Sequence, residues 1–167
     1  MRYHTVFRNF DGRTIECVKS LQRNWSNLTD DEKVQRLNDA SKTLSVIYRV
    51  KQPKIGYSQH CGNGFYDIVS NRITLPKTSI VTFLHEFRHA MQRQGKASYY
   101  YNPEAPSESR GGVENDARAW SLSLYHRVAP RTLKRLVSEG QVFFINPNDL
   151  TMVHLPDTLV IQGRETR

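Results

Sequence analysis

Hydrophobic residues recur at helical spacing in several stretches, with short strand-like runs between them. Ile15, Val18, Leu21 and Trp25 are spaced by three, three and four, which predicts a short helix over 13–24. A sharper start follows at Thr29-Asp30-Asp31-Glu32: Thr29 can cap, Glu32 completes a capping box, and the acidic first turn suits the helix dipole. Val34, Leu37, Leu44 and Ile47 continue that helix toward Tyr48 as a support for a sheet. Pro53 ends it. Residues 54–57 read as a strand, 59–64 as a turn-rich loop, and 65–70 and 71–75 as two strands joined at Ser70-Asn71. The last of these is expected at a sheet edge, where it could take up an extended peptide.

Pro76 closes that strand, and Thr78 or Ser79 caps the next helix, expected over 79–94 with Gly95 as its stop. Its stripe is Ile80, Phe83, Leu84, Phe87 and Met91. His85, Glu86 and His89 fall on the other side with Thr82 and Arg93, so one face should seal the core while the other looks into a cleft. A Pro/Gly/Ser-rich loop with three tyrosines spans 96–112. The next helix runs over 112–128 on Val113, Ala117, Trp120, Leu124 and Val128 and stops at Pro130, and a basic helix over 131–139 ends at Gly140. Runs at 141–145 and 150–155 could pair as a hairpin, and the tail from Gly163 should fray. The pattern predicts an α+β fold with a small, twisted, mostly antiparallel sheet. It is expected to be one domain, with its core over about 29–128 and a C-terminal extension over 129–167.

Composition changes the picture little. With 167 residues, 38% of them hydrophobic and 24% charged, the chain can bury a core of its own. No run approaches a membrane span and the first residues lack an apolar signal core, so no membrane partner is expected. Cys17 and Cys61 form no Cys-x-x-Cys pair, and a reduced, cytoplasmic setting is the expectation. The formal charge of +8 allows association with nucleic acid, although no nucleic-acid motif accompanies it.

The candidate chemistry lies in His85-Glu86-Phe87-Arg88-His89. Two histidines four apart share one helical face and can bind one cation, and the glutamate between them can act as general base on a water. Such a pair calls for zinc, and catalytic zinc keeps three protein ligands with one open position. Glu114, at the start of the following helix, is the first candidate for the third ligand. An acid there is also favoured by the helix dipole alone. Asp116 is the next candidate, with Glu108 behind it, and His126 would suggest a three-histidine site of the SprT type. Tyr99, Tyr100, Tyr101, Tyr125 and Arg118 could each stabilise a developing oxyanion.

His85-Glu86-x-x-His89-Ala90, followed some 25 residues later by Glu114-x-Asp116-Ala117-x-x-Trp120, resembles the small gluzincin metallopeptidases of the ImmA/IrrE type. A strand like Asn71-Arg-Ile-Thr-Leu75 ahead of the motif helix is part of that resemblance, which covers about residues 55–128. It implies a zincin-like fold, His85, His89 and Glu114 as zinc ligands, and Glu86 as general base. It also implies a zinc-dependent endopeptidase acting on a protein substrate, such as a cytoplasmic repressor or an antitoxin-like partner. The chain departs from the family at Phe87-Arg88, where a small residue commonly precedes the second histidine. Arg88 is therefore expected near the cleft edge. A non-catalytic or DNA-associated binding protein on the same scaffold is the rival reading.

Overall fold

The capping box at Thr29 forms as its residue types dictate. Thr29 Oγ1 accepts from the Glu32 amide at 3.3 Å, and the Glu32 carboxylate accepts from the Thr29 amide at 2.8 Å. The computed structural model describes residues 9–97 and 113–139, together with the backbone of 4–5, 153–155 and 158–161. The chain forms two compact units, Asp11–Ser98 and a second made of Met1–Phe10 with Tyr99–Arg167.

In the first unit, α1 (Gly12–Gln22) buries Thr14, Val18 and Leu21, and α2 (Asp30–Tyr48) follows the capping box. Arg49 stops α2 in the left-handed conformation. Asn38 Oδ1 then accepts from the Ile55 amide at 3.0 Å and Ser41 Oγ donates to the Pro53 carbonyl at 2.8 Å, which ties α2 to β2 (Lys54–Tyr57). A hairpin of β3 (Phe65–Asp67) and β4 (Arg72–Leu75) completes a three-stranded sheet in the order β2-β4-β3. β2 and β4 pair in parallel with Ile55 opposite Ile73, while β3 and β4 pair antiparallel with Tyr66 opposite Ile73.

Two expectations change here. This sheet is mixed, not mostly antiparallel. Its central strand is β4, so the strand expected at an edge is paired on both sides, and among the described residues the edges are β2 and β3. The cause is tertiary: α2 holds β2 against the outer side of a hairpin that has already supplied β4 with one neighbour. β3 is also shorter than the expected 65–70. The Asp67 carboxylate accepts from the Val69 and Ser70 amides and turns the backbone out of the ladder.

α3 (Ile80–Arg93) is capped by Ser79, whose hydroxyl accepts from the Thr82 amide at 3.3 Å, and Gly95 beyond it has φ 68°. It packs on α2, β3 and β4. The expected open polar face is largely covered. His85, Glu86, Arg88 and Gln92 are buried with the apolar stripe, Thr82 and His89 are half-buried, and Arg93 alone in the helix is exposed.

In the second unit, α4 (Val113–Val128) buries Ala117, Trp120 and Leu124 as expected, and also Asp116, Ser121 and Tyr125. Phe10 meets the Trp120 ring edge-on. Pro130 begins α5 (Pro130–Ser138), whose Leu133 is buried. β1 (His4–Thr5), β5 (Val153–Leu155) and β6 (Thr158–Ile161) form an antiparallel sheet in the order β1-β6-β5. β5 falls in the run expected to pair with 141–145, yet its ladder is with β6. Residues 141–145 and the tail from Gly163 lie outside the described residues. The described architecture is α+β, and no helix among the described residues is long and apolar enough to cross a membrane.

Candidate metal centre

A helix of 3.6 residues per turn brings positions 85 and 89 to one side, and α3 does so with both imidazoles turned toward each other. The His85 and His89 Nε2 atoms are 3.1 Å apart, with ring planes at 85°. Two nitrogen ligands at 2.0–2.1 Å from a tetrahedral zinc would be about 3.3 Å apart, so the pair is already at ligand spacing. Gln92, one turn further, places its amide oxygen 2.8 Å from His89 Nδ1. An amide oxygen only accepts, so Nδ1 carries the proton and Nε2 presents its lone pair. That is the outer support a metal-binding histidine needs, and it comes from the same helix.

Glu86 points away from the stripe but is only 6% exposed. The Gly64 backbone is one of its close neighbours. A Cβ on Gly64 would fall 3.3 Å from Glu86 Oε1 and 2.7 Å from Thr82 Cγ2. The loop entering β3 therefore passes the carboxylate with no side chain between them. This close approach is a position where glycine is required for space.

Arg88 corrects the expectation of a cleft-edge residue. It is 7% exposed, and its positive charge acts on the Tyr48 hydroxyl at the end of α2. Burial pushes the Tyr48 pKa up, and the hydrogen bond with the Thr14 hydroxyl at 2.9 Å and the Arg88 charge oppose that shift. Arg88 thus belongs to the α1–α2 side of the helix and not to a cleft edge.

Glu114 is exposed in the first turn of α4. His85, His89 and Glu114 form a group that could hold a metal ion: one ligand atom from each, all within 4.8 Å of one another. Asp116, buried at 1% exposure, is not in that group, nor is the half-buried His126. The donor set of two imidazoles and one carboxylate suits zinc. Tyr125 is buried, and Arg118 is half-buried with an Nε that finds no hydrogen-bond partner among the described residues. Tyr99, Tyr100, Tyr101 and Glu108 lie outside the described residues.

Sequence reasoning missed Gln92 and Gly64. The first had a signal, a hydrogen-bonding side chain three residues after the second histidine. The second had only the glycine-rich run Gly62-Asn63-Gly64, which reads equally as a turn. Comparison of the chain with family models, curated proteins and solved structures finds no match.

Proposed function

We propose that this chain is a zinc-dependent endopeptidase of the small gluzincin kind, with a zincin-like site built on α3. The observation that carries this reading is the His85–His89 pair, Nε2 to Nε2 at 3.1 Å, with the His89 tautomer fixed by Gln92. His85, His89 and Glu114 would hold the ion. When bound, zinc supplies Lewis acidity, lowering the pKa of a water toward about 7 and polarising a carbonyl. Glu86 takes the proton from the attacking water and delivers it to the leaving amine. Arg118, Tyr125 and Tyr101 are the candidates for stabilising the developing oxyanion.

The substrate is a protein segment bound extended. With β4 enclosed, the strand suited to receive it is β3, an edge strand that continues from Gly64 and exposes Phe65. A cytoplasmic regulatory protein is the substrate class that the resemblance favours. The test is Glu86→Gln: cleavage of a generic protein substrate should be lost while about one zinc per chain is retained. Undiminished cleavage by that variant would sink the assignment of the base, and purified wild-type protein without zinc affinity would sink the metal reading itself.

A further inference from the structure

The unit Asp11–Ser98 contains fourteen Lys and Arg against eight Asp and Glu. Its excess of positive charge is not spread evenly. Arg49, Lys51, Lys54, Arg72, Arg93 and Lys96 equal that excess in number, and the one acid at their end of the sheet among the described residues is Asp67, the register partner of Arg72 on β3.

Hydrogen bonds bring these six to one end of the unit. The Lys51 amide donates to Gln94 Oε1 at 2.6 Å, and Gln94 Nε2 returns a bond to the Lys51 carbonyl at 3.1 Å, joining the segment after α2 to the end of α3. Asn71 Nδ2 donates to the Gln52 carbonyl at 2.8 Å, and the Lys54 amide donates to the Asn71 carbonyl at 3.0 Å, which adds the start of β4. Lys54 and Arg72 are register partners on neighbouring strands. Arg49 caps α2, Arg93 ends α3, and the Lys96 amide is bonded back to the Met91 carbonyl. All six side chains are exposed, and among the described residues none of them is in an ion pair.

Two helix C-termini end here, and basic residues offset their dipoles. That accounts for Arg49, Arg93 and Lys96. It does not account for Lys51, Lys54 and Arg72, which lie on or beside the strands. Such an array of unpaired positive charge attracts a polyanion. The Asn71 and Gln94 amides that stitch the patch together are spent on the bonds to Lys51 and Gln52, so the groups left to meet a phosphate are the basic side chains themselves. The apolar tip Ile68-Val69 borders the patch. As an anchor for a lipid surface, two aliphatic side chains are small.

We infer that this end of the unit docks on the phosphate backbone of a nucleic acid, through Lys51, Lys54 and Arg72 with Arg49, Arg93 and Lys96 around them. The contact reads charge and carries no base specificity, and it does not depend on the metal.

The test is fluorescence anisotropy of a labelled mixed-sequence DNA duplex with the full-length chain, between about 50 and 200 mM salt. Six phosphate contacts predict a log–log salt slope of about −5. Lys51→Gln/Lys54→Gln/Arg72→Gln should weaken binding at least tenfold and reduce the slope by about three. Lys33→Gln/Lys42→Gln/Lys77→Gln removes the same charge elsewhere on the unit and should change affinity less than threefold. Equal weakening by both triple variants would reduce the effect to net charge and overturn the proposal. A wild-type slope shallower than about −2 would overturn it without any variant. Binding to phosphatidylserine vesicles that is lost in Val69→Asp, with no binding to the duplex, would assign the patch to a membrane instead.

Discussion

Gln92 holds one proton of the candidate centre in place. Its amide oxygen, 2.8 Å from His89 Nδ1, keeps the lone pair of Nε2 on the side facing His85. Gln92→Leu keeps the volume and removes the acceptor. It should lower zinc affinity about 10–100-fold, measured by competition with a chromophoric chelator, with little change in helical content. Gly64 acts on the other component. In Gly64→Ala the new methyl meets Thr82 Cγ2 at 2.7 Å and Glu86 Oε1 at 3.3 Å, so the Thr82 side chain must move and the carboxylate gives by a few tenths of an ångström. Zinc content should stay the same while kcat falls by roughly severalfold, less than the hundredfold of a full ångström's misplacement. A parallel fall in zinc content would show that Gly64 supports the whole centre and not Glu86 alone. His85, Glu86 and His89 were legible because their spacing along one helix is itself the geometry. Gly64 was not, because its role depends on which helix the loop crosses.

At the level of elements, caps were the most legible features. Thr29 with Glu32, Ser79 and Gly95 each act within a few residues of sequence, so local chemistry decides them. Strand order was not legible. Alternation within Arg72–Leu75 says which side chains face the core, but not how many neighbours the strand has. The β3–β4 turn carries a pH-dependent contribution. The Ser70 hydroxyl, then the Val69 and Ser70 amides, hold the Asp67 carboxyl below its usual range. A carboxyl with a lowered folded-state pKa stabilises above the unfolded value near 3.9, and the contribution is lost as pH falls through the folded value. Amide exchange at Val69 and Ser70 should therefore accelerate as pH is lowered below about 4, beyond the intrinsic trend. Asp67→Asn should remove that extra dependence, and an unchanged profile would show the turn to be held by other bonds.

For the whole molecule, a ligand that binds only the folded chain adds to its stability by mass action. Zinc at about a hundred times its dissociation constant should contribute about 2.7 kcal/mol, read as a rise of several degrees in Tm that a chelator reverses. In Glu114→Ala the same addition should give a smaller rise. An equal rise would remove Glu114 from the ligand set and return Asp116 to consideration. The total charge of the chain was visible in its composition, but its concentration at one end of the Asp11–Ser98 unit was not. Arg49, Lys51, Lys54, Arg72, Arg93 and Lys96 are drawn from three separate stretches, 49–54, 72 and 93–96, gathered by the β2–β4 ladder and the bonds made by Gln94 and Asn71.

The enclosed position of β4 has a consequence for how this unit opens. Every amide along β4 faces a neighbour on one side or the other, and Ile73, fully buried, is opposite both Ile55 and Tyr66. Among the described residues β2 and β3 each have one unpaired flank, from which the sheet can fray. Deuterium should therefore reach Ile73 only when the unit unfolds as a whole, which makes that one amide a gauge of global stability a short distance from the helix that carries His85 and His89.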